Sequence, residues 1–218
     1  MNYAEIYSEI VGGDPSGALH SWTEAVLTDI AEGRMAVTAV SHPLGFVCLP
    51  VIRAGDDGVC VHVWLADRPP AEPTTSPMHS HSWDLLSHVL YGEIHNETLS
   101  VEDEPDAPTH RVYEVRSHGD VDEIYATARL VRPATGALDI HPPGAAYTLR
   151  AGDFHVTDVP PGQAAATVAL GRMRRGAHDL SLGPINGHTH LVRRLHCTPD
   201  ETTSAALAVT AHLSVTAS

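Results

Sequence analysis

The stretch Pro77-Met-His79-Ser-His81-Ser-Trp83-Asp84-Leu85-Leu-Ser-His88-Val-Leu-Tyr91-Gly92 decides how this chain is read. On a strand, alternate residues share a face, so His79 and His81 can aim at one point. Trp83 and Tyr91 carry the same parity and are expected to wall that point, while His88 falls on the other face. The pair is weak evidence by itself. With 16 histidines in the chain, the same spacing recurs at His188-Thr-His190, which reads as a surface or rim pair.

A second stretch adds weight: Gly144-Ala-Ala-Tyr-Thr-Leu-Arg150-Ala-Gly152-Asp-Phe-His155. It places a turn glycine before a short strand that carries a histidine. Together the two stretches resemble the paired motifs of the cupin superfamily, in which HxH is followed later by G-x-x-H. Gly92 follows His81, and Gly144 precedes Arg150, at the family's intervals. The resemblance spans roughly residues 45 to 171.

It implies an all-β fold, a double-stranded jelly-roll-like β-barrel with flanking N-terminal helices, and a divalent metal held by His79, His81 and His155. The family's usual glutamate falls at Leu85, which cannot bind a metal, and its usual proline at Arg150. A three-histidine set without the carboxylate resembles the cysteine dioxygenase type of thiol dioxygenase. That group's crosslinking cysteine would lie near Leu85, where there is none, and its tyrosine corresponds to Arg172. The group's substrate-clamping arginine has no exact counterpart, although Arg53 lies on the right pair of strands. A one-residue slip of register would bring Asp84 inward instead, as a fourth ligand.

Away from these motifs, a charge of −14 from 13 basic and 27 acidic residues disfavours nucleic acid as a partner. Three cysteines (Cys48, Cys60 and Cys197) without CxxC spacing make neither a disulfide framework nor a zinc ribbon. No basic n-region with an apolar run opens the chain, and no stretch has the length of a membrane span. A cytoplasmic location is the expectation.

One domain over residues 1–218 is expected: a helical segment to about 35, a barrel over about 42–196, and a tail over about 199–218 that reads as helix or frayed end. Leu19 to Glu32 has helical periodicity with Gly33 as its stop. Gly55-Asp-Asp-Gly58 between two apolar runs signals a hairpin. Prolines at 69, 70, 73 and 77 exclude a central strand there. Short strands are expected at 83–91, 111–115, 125–131, 146–149, 154–156, 165–170 and 189–195.

The functional expectation is an oxygenase acting on a small molecule, a thiol or cysteine-derived amino acid first. It would use O₂ at one divalent ion, Fe(II) first, with Ni(II) or another ion as the alternative. Tyr91, Arg53 and Arg172 are the candidate catalytic residues, with Arg150 a further anion-orienting candidate. The rival readings are a cupin isomerase, lyase or decarboxylase using the metal as a Lewis acid, and a non-catalytic small-molecule-binding cupin. A homodimer is the default assembly. Ligation needs neutral imidazoles, so metal loss is expected as pH falls through about 6.

Overall fold

A computed structural model describes residues 1–14, 17–67 and 73–216 of the chain. Two helices come first, α1 (Tyr3–Gly12) and α2 (Ala18–Ala31). The strands follow: β1 (Val40–Ser41), β2 (Val47–Ala54), β3 (Asp57–Trp64), β4 (His79–Ser80), β5 (Trp83–Tyr91), β6 (Ile94–Asp103), β7 (His110–His118), β8 (Val121–His141), β9 (Ala146–Leu149), β10 (Phe154–Asp158), β11 (Ala165–Met173), β12 (Asp179–Gly183), β13 (His190–Arg193) and β14 (Leu195–His196). Helix α3 (Pro199–Thr216) ends the described chain. Prolines 69 and 70 of the proline-rich stretch lie outside the described residues.

The strands form two antiparallel seven-stranded sheets, ordered β14-β1-β2-β3-β11-β5-β9 and β13-β8-β6-β10-β4-β12-β7, and β7 also pairs with β8. The chain crosses repeatedly between them, with β5, β9 and β11 in the first sheet and β6, β10 and β12 in the second. This is the all-β, double-sheet barrel expected from the sequence.

Each face of the first sheet buries a different core. Val47, Leu49, Val59, Val61, Val63, Val168 and Leu170 pack toward the helices with Ile6, Leu19, Leu27, Ala205 and Val209. The alternate residues Phe46, Trp64, Leu85, Val89, Ala165 and Ala169 line the barrel interior with Ile94, Tyr147 and Leu149. Burial of each large aliphatic side chain contributes about 1.5–3 kcal/mol, so the helices anchor the outer face while the inner one stays free to shape a cavity. No described helix is long and apolar enough to cross a membrane.

Local chemistry sets the helix ends. Asn2 Oδ1 accepts the Glu5 N–H at 3.1 Å, and Glu5 Oε2 accepts the Asn2 N–H at 2.8 Å, which closes a capping box on α1. Thr198 and Glu201 do the same for α3: the Glu201 N–H donates to Thr198 Oγ1 at 3.2 Å and the Thr198 N–H to Glu201 Oε2 at 2.7 Å. The tail is therefore a helix, docked through Ala205, Ala206, Val209 and Leu213.

Candidate metal centre

Strand β4 carries His79, two further residues bring His81, and β10 carries His155 directly opposite His79 in the ladder. The three ligand atoms offered by these side chains lie within 4.8 Å of one another. The ring centroids are 4.3 Å apart for His79–His155, 4.8 Å for His79–His81 and 5.0 Å for His81–His155. His155 is only 1% exposed, and the other two are half-buried.

Hydrogen bonding orients two of the rings. His79 Nδ1 lies 2.8 Å from the Pro77 carbonyl and His155 Nδ1 lies 3.0 Å from that of Asp153. A carbonyl only accepts, so Nδ1 must carry the proton and Nε2 is left with a free lone pair. This is the tautomer that a metal-ligating histidine needs.

The rings are also held neutral. Burial first, then repulsion from His155, lowers the His79 pKa to about 3. Burial and the neighbouring His79 and His155 push His81 well below the ordinary imidazole value, and burial lowers His155 as well. Three neutral, converging nitrogen donors fit a divalent transition ion and leave part of its coordination sphere open.

Around them the inner lining is aromatic. Trp83 stacks on His81 with centroids 4.3 Å apart, and Gly171 leaves the indole room: a Cβ there would sit 2.8 Å from its ring. His42 stacks on Phe46 at 4.2 Å, and Phe46 contacts His62 at 4.5 Å and Trp64 at 4.9 Å. His42 and His62 are close enough to act on His81, so they share its interior. The Thr167 hydroxyl is buried without a hydrogen-bond partner, while Ser87 and Asn96 lie against the Tyr147 hydroxyl. By strand parity these residues belong to the lining that Leu85, Ala165 and Ile94 complete.

The other residues singled out from the sequence lie elsewhere. Tyr91 does not wall the site: it packs in the helix-side core and stacks on His212 with centroids 4.1 Å apart and planes 6° from parallel. A bulge explains the difference, because Thr167 pairs with Val89 and Ala166 with Tyr91, leaving Leu90 as an extra residue that reverses the parity. Arg172 is exposed and paired with Asp57 at 2.7 and 3.2 Å, with its guanidinium over Tyr3. Arg150 is exposed. Arg53, at the outer end of β2, donates to the Ile52 carbonyl at 3.1 Å and to Cys60 Sγ at 3.3 Å.

Asp84 is no ligand in this arrangement. Its Oδ1 accepts the Ala151 N–H at 3.0 Å and its Oδ2 is held by Arg174 at 2.6 Å, which keeps its carboxyl below the usual range. His190 is half-buried, with Nε2 2.9 Å from Thr74 Oγ1. His88 faces away from the three histidines, as its parity requires, and lines a surface hollow of about 330 Å³ with Asp14, His20 and Pro143. That hollow contains none of the three. The sequence reading overlooked Asn96, Ser87, His42 and His62, which sit in no motif; only strand alternation could have placed them inward.

No protein-family model matches the chain, and neither does any curated protein. Solved structures similar to it include the polyketide cyclase RemF from Streptomyces resistomycificus, at 15% identity and TM-score 0.38, covering 68% of this chain and 80% of that one. Another is hydroxypropylphosphonic acid epoxidase from S. wedmorenis, at 17% identity and TM-score 0.33, covering 59% of this chain and 51% of that one. A third is hydroquinone 1,2-dioxygenase PnpCD in complex with Cd²⁺ and 4-hydroxybenzonitrile, at 15% identity and TM-score 0.35, covering 68% and 72%. The chain thus spans about half the length of the epoxidase it matches.

Proposed function

We propose that this chain is a metal-dependent oxygenase of small molecules in which His79, His81 and His155 hold one divalent ion. The observation that carries the reading is the convergence of three neutral imidazoles, one buried and two half-buried, two with Nδ1 tied to backbone carbonyls, in a cluster that among the described residues includes no carboxylate. Iron bound there would supply Lewis acidity and one-electron chemistry toward O₂.

The chain's own residues have definable parts. The Pro77 and Asp153 carbonyls fix the planes of His79 and His155, and Trp83 braces His81 from one side. Phe46 and Trp64 keep the interior apolar, which excludes bulk water. The unpaired Thr167 hydroxyl, with the Ser87, Asn96 and Tyr147 groups beside it, offers hydrogen bonds to a bound polar molecule. A thiol or cysteine-derived amino acid is the first substrate to try, on the resemblance of the three-histidine set to that of the thiol dioxygenases.

The test is elemental analysis of the purified protein beside His155→Ala, together with oxygen uptake on cysteine and related thiols. Near-stoichiometric metal in the wild type, falling more than about 100-fold in affinity in the variant, is expected, since even neighbours of a ligand change affinity by 10–100-fold. Metal without oxygen uptake on any thiol would move the reading to another substrate or to Lewis-acid isomerase or lyase chemistry. Unchanged metal content in His155→Ala would refute the site.

A further inference from the structure

The inner face of the β2–β3 hairpin brings together a second donor set. Cys60, His62 and Trp64 alternate along β3, so all three point into the barrel. Cys48 on β2 lies directly across from His62, and Cys60 lies opposite Pro50, one diagonal step away. The ligand atoms of Cys48, Cys60 and His62 lie within 4.8 Å of one another, as do those of the three histidines. All three residues are half-buried, and both cysteines are reduced.

We propose that Cys48, Cys60 and His62 form a second metal site, selective for a thiophilic ion of the Zn(II) class, distinct from the three-histidine centre. Two thiolates and one imidazole are the borderline-soft donors that such an ion prefers, and three protein donors leave a fourth tetrahedral position open. Tetrahedral thiolate–zinc and imidazole–zinc bonds of about 2.3 and 2.0–2.1 Å place donor atoms about 3.5–3.8 Å apart, inside the 4.8 Å that bounds the separations here. The Arg53 guanidinium that donates to Cys60 Sγ at 3.3 Å balances part of the second thiolate's charge.

The hard-oxygen alternatives are poorly served, because among the described residues no carboxylate belongs to this group. A disulfide between Cys48 and Cys60 is the competing fate of the two thiols, and it would remove both sulfur ligands at once. The experiment therefore keeps the protein reduced. The metal-free, full-length chain is titrated with Co(II) and then Zn(II), and the alkylation rates of the three cysteines are followed by peptide mass spectrometry.

Thiolate ligation gives Co(II) a near-ultraviolet sulfur-to-metal charge-transfer band that histidine-only ligation cannot give. The band therefore reports this site whatever happens at the three histidines. The expected result is such a band, abolished by Zn(II) and absent in Cys48→Ser and in Cys60→Ser. Zinc at about ten times its dissociation constant should slow alkylation of Cys48 and Cys60 about tenfold, because only unliganded protein reacts. Cys197, which lies outside this donor group, should react at its original rate. Wild-type protein without the band, in which zinc leaves the alkylation of Cys48 and Cys60 unchanged, would overturn the proposal without relying on any variant to fold.

Discussion

Acid should weaken the metal-free protein through the very histidines proposed as ligands, and His79 allows the effect to be sized. Its pKa in the folded chain is about 3, against about 6.5 when exposed. Between those values the unfolded chain binds a proton that the folded chain refuses, so stability rises with pH through this window and is lost as pH falls. From pH 7.5 to 5.5 the unfolded state gains about 1.4 kcal/mol per such histidine. Solvent reaching the half-buried ring trims this to about 1 kcal/mol for His79. Urea unfolding of metal-free wild type and His79→Asn at pH 7.5, 6.5 and 5.5 measures the term. The asparagine amide can still donate to the Pro77 carbonyl, and any constant packing cost cancels because only the pH slope is compared. The wild type should lose about 1 kcal/mol more than the variant across the range; parallel losses would refute the reasoning. The same numbers displace the sequence expectation of metal loss near pH 6. Burial keeps these ligands neutral below that point, so release should fall at a lower pH.

Tyr91→Phe should leave metal content and oxygen uptake unchanged and raise unfolding free energy by about 1 kcal/mol, since its buried hydroxyl has no hydrogen-bond partner; calorimetry and a turnover assay check both. Gly171→Ala should act at the metal from the far side of an indole. Its new methyl would meet Trp83 at 2.8 Å, displace the ring from His81, and weaken metal binding about tenfold. A metal titration that gives the wild-type affinity for Gly171→Ala would separate Trp83 from the site.

Much of the barrel was legible because its strands alternate cleanly. The spans Trp83–Tyr91 and Ala146–Leu149 emerge with the bounds expected from sequence. The three histidines also come together, since HxH parity survives on β4 and a ladder pairing carries His155 to His79. Helix α3 was left open between helix and frayed end, although Thr198-Pro-Asp-Glu201 is a capping box with proline at the first helical position. Strand β6 was passed over because Asn96, Glu97, Glu102 and Asp103 make it look like a loop. Its polar residues are tolerated because it is bonded on both sides, to β10 and β8.

What the sequence hides is the single extra residue. Counting by twos from His79 puts Tyr91 in the cavity, and one bulge at Leu90 sends it to the opposite core. Between β2 and β3 the reverse occurs. The ladder runs Leu49–Val61 and Pro50–Cys60 and then jumps to Ile52–Val59, leaving Val51 as the extra residue. Counting back from the Gly55–Gly58 turn without that bulge would pair Cys48 one place away from His62 and put the two on opposite faces. The Cys60-Val-His62 alternation was visible, but its third donor depended on a register that no local pattern announces. In this barrel, motif spacing identifies donors within a strand, while bulges determine which donors meet across strands.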